Sequence, residues 1–463
     1  MTAQEKRIAI IGGGPGGLFS AYQLGRLSQG AHQVTVFEAS PRLGGKILTQ
    51  KFESGSVMFE GGVAELYHTL QGPDALWDLV QELELPTVEM HGPTVVLDDQ
   101  FIYGDDDIRK YLSEKSLREI RKFYKRCTEQ RTPQQFCSFN TPKLNRHPLN
   151  NISFDDFIAD IKDEKAKHYV RIFSHSDMAT EPHLTTALYG VDNVLVDETD
   201  YCQLYSIVGG IERLPQTLAG RIRADVRLRC PVLAVEQQRD GEGPPRYRVT
   251  FQPGEQRRSA ETQDFDAVVV ALPVNWLPLI EWRGARLHEA MMRHHAAYHN
   301  LAHYLRITLL FREKFWQSQI HDSYFVLDNL GGCSVYDEGS RHESGAQGAL
   351  SLLLAGANAL TLGNFSDSDL VEQALTALPW PVAQTRELLI DSRVHRWIGT
   401  VNSLPAGRPI RGMKRRHQLG KAGFSGLVMV GDYLFDSTLN GVLASSAVAS
   451  KLLLSQLAGG PST

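Results

Sequence analysis

Arg7-Ile8-Ala9-Ile10-Ile11-Gly12-Gly13-Gly14-Pro15-Gly16-Gly17 is a β-branched run that stops in a cluster of glycines. Gly16–Leu27 then has helical periodicity, with Leu18, Tyr22 and Leu24, and Val34, Val36 and Phe37 supply a second strand. Strand, turn, helix and strand in that order make a βαβ beginning. Gly12, Gly14 and Gly17 fit the pattern G-x-G-x-x-G. The first glycine of that pattern makes a tight turn, the second lets the backbone approach a pyrophosphate, and the third lets helix and strand pack closely. The N-terminus of the helix, at Gly16, then faces the phosphates. Glu38 follows 21 residues after Gly17, at the end of the second strand and beside Ala39. A carboxylate there suits a ribose diol and repels a 2′-phosphate, so the stretch predicts a dinucleotide site that disfavours NADP.

Working outward, Arg42-Leu43-Gly44-Gly45-Lys46 places cations and two glycines where they could grip a second stretch of phosphate and a ribityl chain, which an NAD site does not need. Gly61-Gly62-Val63 offers backbone that could lie flat against a ring. At the far end, Val430-Gly431-Asp432 closes an apolar strand, Gly426–Gly431, with a carboxylate able to accept from sugar hydroxyls. Leu439–Leu457 reads as a last helix opening at Asn440-Gly441-Val442, its N-terminal dipole able to stabilise negative charge. Dinucleotide-type elements thus stand at both ends and in the middle. The fold class expected is α/β: a discontinuous Rossmann-type domain (1–65, 226–274 and 401–463) with an inserted α+β substrate domain (66–225 and 275–400) that includes a mostly helical segment, 72–225.

Within that segment Ile108–Cys127 predicts one helix, with Leu112, Ile120, Phe123 and Cys127 on its apolar side and Arg118, Arg121, Lys122, Lys125 and Arg126 on a solvated face. Strands are expected at Leu228–Glu236, Tyr247–Phe251, Phe265–Leu272 and 300–312, with a hairpin loop at Asp240–Pro245. A chain of 463 residues with formal charge −5 holds more than one domain and is not a general nucleic-acid binder. Cys127, Cys137, Cys202, Cys230 and Cys333 are scattered without C-x-x-C, which predicts free thiols in a reducing compartment. No signal peptide and no transmembrane run is read, so the expected location is cytoplasmic.

Taken together, these segments resemble the FAD-dependent amine oxidase superfamily, which includes monoamine, polyamine and L-amino-acid oxidases, protoporphyrinogen oxidase and carotenoid desaturases. Pro231-Val232 looks like the family strand whose valine backbone contacts adenine, and Ala271-Leu272-Pro273 like its A-x-P strand end. Val208-Gly209-Gly210-Ile211-Glu212-Arg213-Leu214-Pro215 is similar to the G-G-x-x-x-L-P segment of L-amino-acid oxidases. The resemblance implies an extended FAD, a separate substrate domain, hydride transfer from a small molecule to flavin N5, and oxygen or another electron acceptor. An amine or amino-acid-like substrate is the reading, and a desaturase acting on a C–C bond of a pigment-like or natural-product substrate is the alternative. A FAD-bound protein without turnover is a third, supported only by the replacement of a lysine by Arg306.

Where this chain departs from the family, the expectations divide. The position of the flavin-side lysine, nine residues before Phe315-Trp316, holds Arg306. Arginine cannot act as a base; it either orients a water or a substrate carboxylate, or faces solvent, sharing a strand face with Tyr304 and Thr308. Glu65 stands where L-amino-acid oxidases carry an arginine, and is read either as a contact for a basic substrate or as a structural salt bridge. Thr400 and Thr438 occupy the two aromatic positions of monoamine oxidases, which disfavours simple arylalkylamines. Trp397 matches a tryptophan common near the flavin, with a core tryptophan as the plain alternative. Gly399 is nearest to the usual attachment cysteine, so non-covalent FAD is expected. No metal is expected at His295, His299 and His303. The stretch His175, Asp177, Glu181 and His183 reads as a turn or helix start that either lines the substrate cavity or forms a polar loop.

Overall fold

The computed structural model of the protein describes residues 5–55, 57–136, 146–238, 245–254, 259–342, 345–420, 424–435 and 437–459. Five strands form one sheet in the order Ala224–Arg227, Gln33–Phe37, Arg7–Ile11, Ala267–Val270 and Leu427–Met429. Every neighbouring pair is parallel. The strands Ala267–Val270 and Leu427–Met429 are buried at every residue, as unbroken apolar runs covered on both faces should be. On one face Ile8, Ile10, Val36, Val269 and Val428 pack with Leu24 and with Ala449 and Leu453 of the helices Pro15–Leu27 and Leu439–Leu457. On the other, Ile11, Phe37, Val268 and Val270 meet Val235, Tyr247 and Phe265 of a four-stranded sheet. The chain is therefore an α/β protein whose parallel sheet draws on its beginning, its middle and its end.

A second, seven-stranded sheet runs Leu389–Asn402, Leu301–Phe311, Gly348–Ala355, Cys333–Asp337, Tyr324–Leu327, Thr94–Leu97 and Gln100–Ile102. In Leu301–Phe311 the alternation expected from sequence is present. Leu305, Ile307 and Leu309 pack with Leu350, Leu352 and Leu354 and with Leu370 of the helix Asp367–Ala377. Tyr304, Arg306 and Thr308 take the opposite side. The helices Glu114–Gln130, Glu164–Met178 and Ala187–Val196 build their own apolar cluster around Phe123, Phe173 and Val191.

Several local expectations are corrected. Segment 72–225 also contains the strands Thr87–Glu89, Thr94–Leu97, Gln100–Ile102 and Cys202–Ile207. Thr94–Leu97 pairs with Tyr324–Leu327, a partner remote in sequence that local periodicity cannot announce. The helix expected over Ile108–Cys127 is interrupted: a π-helical turn ends at Leu112, and Ser113 accepts from the Ser116 N–H to cap Glu114–Gln130. Its buried side is Leu117, Ile120, Phe123 and Cys127, with Arg118, Arg121, Lys122 and Lys125 exposed. The strand expected over Leu228–Glu236 is Val232–Gln238. Phe265–Leu272 divides between two sheets, Glu261–Phe265 in one and Ala267–Val270 in the other. His175 and Asp177 end the helix Glu164–Met178 rather than start one. The hairpin expected at Asp240–Pro245, apart from Pro245 itself, and the thiol of Cys137 lie outside the described residues. No helix among the described residues is long and apolar enough to cross a membrane.

Candidate active site

The glycine loop is held from both sides. Gly12, with φ of 105°, donates its N–H to Phe37 O at 2.8 Å. A Cβ on Gly17 would lie 1.9 Å from Gly12 O, so only glycine permits this turn from strand to helix. The helix that follows has Pro15 in its first turn, no side-chain cap and no acidic residue there. The helices starting at Ala75, Glu114, Glu164, Ala187 and Leu439 are capped by Asp74, Ser113, Asp163, Thr186 and Thr438. The N–H groups of Gly16 and Gly17 are thus left without the side-chain acceptor those helices have. Glu38 accepts from the N–H of Gly13 at 2.7 Å and of Ser40 at 2.8 Å. Cys230 N–H donates to Glu38 O, setting Pro231-Val232 beside Glu38-Ala39. Ala271 N–H donates to Ile11 O at 2.9 Å. Ser446 of the last helix donates to Gly16 O at 3.1 Å, and Val442 lies against Gly16. The two ends of the chain therefore meet at the fingerprint.

The second glycine pair faces the first: a Cβ on Gly45 would come within 3.0 Å of Gly14 Cα, and Gly44 N–H donates to Gly13 O at 2.9 Å. Arg42 is turned onto its own loop, donating to the carbonyls of Leu43, Gly45 and Ile47 and pairing with Glu212 at 3.4 Å. Lys46 pairs with buried Asp432 and donates to Thr400 O at 2.8 Å. Gly431 N–H donates to Ser445 at 3.2 Å. Asn440, behind Leu439 in the last helix, donates to Asp74 at 3.1 Å and leaves its Oδ1 buried without a partner. A Cβ on Gly62 would lie 1.9 Å from Lys46 O, so Gly61-Gly62-Val63 lies flat on the Lys46 loop, with Val63 N–H donating to Lys46 O. Trp397 Nε1 donates to Gly61 O at 2.7 Å.

Arg306 is fully buried, which overturns the solvent-facing alternative. Its Nη1 donates to Gly62 O and its Nη2 to Glu338 Oε1, each at 3.0 Å. Arg341 Nε donates to Glu338 Oε2 at 3.0 Å, and its Nη1 to Ala64 O. Burial alone would raise the Glu338 pKa, but Arg341 and Arg306 hold it below the ordinary carboxylate range. Glu60 is also buried; its Oε1 accepts from Ile211 N–H at 2.9 Å and its Oε2 from Thr49 at 2.8 Å. The segment resembling G-G-x-x-x-L-P therefore anchors the strand that leads into Gly61 and Gly62. Arg306 holds a backbone turn, and the role of binding a substrate carboxylate loses support because its two terminal nitrogens are engaged.

Around the stacked rings of Tyr324 and Tyr336 lie three acids, Glu65, Asp177 and Asp197. Arg306 and Arg341 both sit 5.2 Å from the centre of the Tyr336 ring. Tyr336 OH donates to Glu65, whose Oε2 is enclosed and has no hydrogen-bond partner. Burial raises the Glu65 pKa against the pull of Tyr336, Arg341 and Arg306. Tyr324 OH donates to Asp197 Oδ1 at 2.6 Å, and Tyr304 OH to Asp177 O at 3.2 Å. Burial, followed by the nearby charges of Asp197 and Glu65, raises Asp177 well above its usual range. Asp197 is pushed up to about 7 by burial, with Glu65 and Glu198 adding to the shift and Tyr324 opposing it. Sequence reading located Glu65 and included Asp177 in a polar cluster but missed Asp197, Tyr324, Tyr336 and the Glu338–Arg341 pair. The one available signal was the i, i+3 spacing of Glu338 and Arg341.

Residues 15–454 match the sequence profile of the family described as flavin containing amine oxidoreductase. The chain belongs to that family. The flavin-dependent oxidoreductase is 25% identical over 352 residues to the flavin-dependent L-tryptophan oxidase RebO of Lentzea aerocolonigenes, an alignment covering 68% of each chain. It is 22% identical over 286 residues to an L-amino acid oxidase of Bothrops pictus, covering 57% of this chain and only 52% of that protein. Among solved structures, a putrescine oxidase variant superposes with a TM-score of 0.73 at 17% identity, over 98% of this chain and 99% of the other. Cyclohexylamine oxidase from Brevibacterium oxydans gives 0.72 at 17% identity, over 98% and 100%. At that identity the superpositions establish the fold of the oxidoreductase and nothing finer.

Proposed function

We propose that the protein binds FAD without a covalent link and oxidises the carbon–nitrogen bond of an amine or amino-acid-like small molecule. The observation that carries this reading is the convergence of both chain ends on one line of groups. These run from Glu38 and the uncapped helix start at Gly16 and Gly17, past Gly44–Lys46, to Gly61–Val63, Asp432 and Asn440. The buried, unpartnered Oδ1 of Asn440 and the free N–H groups of the first helix turn suit a ligand that carries phosphates and sugar hydroxyls. Gly399, where an attachment cysteine would stand, has no side chain to form a link. When bound, FAD supplies hydride acceptance at N5 from the carbon next to the substrate nitrogen, whose lone pair closes a C=N bond that water hydrolyses.

The chain's own residues do the rest. Trp397 and Arg306 fix the carbonyls of Gly61 and Gly62, holding the turn on which the ring would rest. Glu65, with its raised pKa, binds an ammonium and takes its proton, leaving the neutral nitrogen that oxidation needs. Oxygen serves as the electron acceptor, and the buried thiols of Cys127, Cys230 and Cys333, which form no disulfide, support a cytoplasmic location.

Purified protein is expected to be yellow and to release all its flavin on acid precipitation. Anaerobic mixing with an amine and amino-acid panel should bleach the flavin band, and air should then yield hydrogen peroxide and ammonia. Protein that remains colourless after incubation with FAD would overturn the reading. A conjugated product without ammonia would assign the chain to carbon–carbon desaturation instead.

A further inference from the structure

The strand Leu389–Asn402 does not run evenly beside Leu301–Phe311. Ala302 lies opposite Val401, but the next residue, His303, lies opposite Ile398, so Gly399 and Thr400 are pushed out of the ladder as a bulge. Gly399 has φ of 67°, which glycine adopts freely and other residues rarely do. Leaving the ladder takes the strand partner from a backbone N–H, which must then be satisfied elsewhere. The Gly399 N–H is satisfied by a side chain: it donates to His303 Nδ1 at 3.0 Å. His303 is itself held, its own N–H donating to Ala179 O at 3.0 Å. Thr400 turns its hydroxyl back onto Trp397 O at 3.1 Å.

The bulge lies where the segments assigned above to the cofactor are tied together. Trp397, just before it, donates to Gly61 O at 2.7 Å. Thr400 O, out of the ladder, accepts from Lys46 at 2.8 Å, and Lys46 pairs with Asp432. Just after it, Asn402 N–H donates to Ser437 Oγ at 3.2 Å, and Ser437 donates to Asn402 O at 2.8 Å, beside the Thr438 cap of the last helix. One short stretch, Trp397–Asn402, thus reaches the Gly61–Val63 turn, the Lys46 loop, Asp432 and the start of Leu439–Leu457. The bond to Gly399 also fixes the state of the imidazole. Nδ1 needs a lone pair to accept, so the ring is neutral with its proton on Nε2. Burial lowers the His303 pKa and favours that form.

Resting on the functional reading above, we propose that His303 is a positioning residue for FAD binding. By accepting from the Gly399 N–H it holds the Gly399-Thr400 bulge in place, and with it the Thr400 carbonyl against Lys46 and the Trp397 indole against Gly61. It acts through the backbone of the neighbouring strand rather than on the reacting atoms.

Three substitutions separate the acceptor from the ring that carries it. His303→Asn puts a carbonyl oxygen where Nδ1 stood, His303→Gln moves that oxygen one methylene further out, and His303→Leu keeps bulk and removes the acceptor. Equilibrium dialysis of the full-length, flavin-free protein against FAD should give a dissociation constant within about twofold of wild type for His303→Asn and about 3- to 10-fold weaker for the other two, the scale of one hydrogen bond. A merely structural histidine would not couple to Lys46. Here Lys46→Met should weaken FAD binding less in His303→Leu than in wild type, by at least about twofold. Equal constants in wild type and all three variants, a loss in His303→Asn as large as in His303→Leu, or effects of Lys46→Met that are independent of His303, would overturn the proposal while leaving FAD binding standing. Amide hydrogen exchange at Gly399 reads the same bond without the cofactor: protection should survive in His303→Asn and be lost in His303→Leu and His303→Gln. If the wild type takes up no FAD, it is the functional reading that fails, and the exchange still decides whether His303 holds the bulge; protection that ignores the acceptor removes it.

Discussion

Two groups of buried charges share the ring of Tyr336 and are built on opposite plans. On one side Arg306 and Arg341 converge on both oxygens of Glu338, and each sends one further donor to a carbonyl, that of Gly62 or of Ala64. On the other side Glu65, Asp177 and Asp197 meet only hydroxyl groups. The first arrangement satisfies its own charges and fixes backbone. The second leaves three partly buried acids without a cationic partner among the described residues, and burial raises the pKa of each. Burial therefore does not separate structural from functional charges here; what separates them is whether the partners come from the same chain.

Removing a partner on the balanced side should have the largest effect. Glu338→Ala leaves two guanidinium groups buried without their shared carboxylate, and the expected loss is about 3–5 kcal/mol of stability, read from denaturant unfolding of the flavin-bound protein. A loss below about 1 kcal/mol, the size of an exposed pair, would mean that the network is not a closed unit and would erase the contrast. The unbalanced side should respond in the other way. Glu65→Gln removes a charge that burial already disfavours, so unfolding should change little while the Michaelis constant for a cationic amine rises tens-fold, the scale of about 2 kcal/mol for a charge-assisted contact. An unchanged Michaelis constant takes Glu65 out of the site.

The same contrast has a pH signature. Burial, with Glu65 and Glu198 adding to the shift and Tyr324 opposing it, pushes Asp197 up to about 7, and Asp177 stands beside it. An ammonium binds the ionised form of these acids, so binding releases protons and affinity must rise as pH rises through their raised pKa values. The slope approaches about tenfold per pH unit where one proton is released. Calorimetry with tert-butylamine, which has no hydrogen on its nitrogen-bearing carbon and cannot be oxidised there, reads this at pH 6 to 8, since its ammonium stays charged in that range. Asp197→Asn should flatten the rise; a profile that is flat in the wild type would show that these acids do not meet the ammonium.

What could be read from sequence follows the distance over which each feature is decided. The turn at Gly12–Gly17, Glu38 at the strand end and the helix Leu439–Leu457 are set by neighbouring residues, and all three stand where they were expected. Arg306 was placed with Tyr304 by strand alternation alone. Its burial was not legible, because that depends on Glu338 and Gly62, which reach it from separate segments. The strand Thr94–Leu97 was missed for the same reason. Asp197 caps the C-terminal end of an apolar helix, and nothing in its neighbourhood distinguishes it from a solvated acid. Only the tertiary fold brings it to Tyr324.

Trp397 gives the mildest test and decides between its own two readings. Its indole N–H makes one hydrogen bond, 2.7 Å long, to Gly61 O. The residue is only partly buried, and a tryptophan serving merely as core would have less reason to be left open. Trp397→Phe keeps the ring and removes the donor, so the expected cost is about 0.5–1.5 kcal/mol, that of one neutral hydrogen bond. If Gly61 lies against the flavin, most of that cost falls on flavin affinity, which should drop up to about tenfold in equilibrium dialysis while the unfolding midpoint of flavin-free protein barely moves. If the indole is core, flavin-free and flavin-bound protein lose stability equally and the affinity stays where it was. Unlike Arg306, whose pairing spans two guanidinium groups and cannot be loosened at one end, Trp397 is a single tether. It can therefore report on the ring site without disturbing the balanced charges behind it.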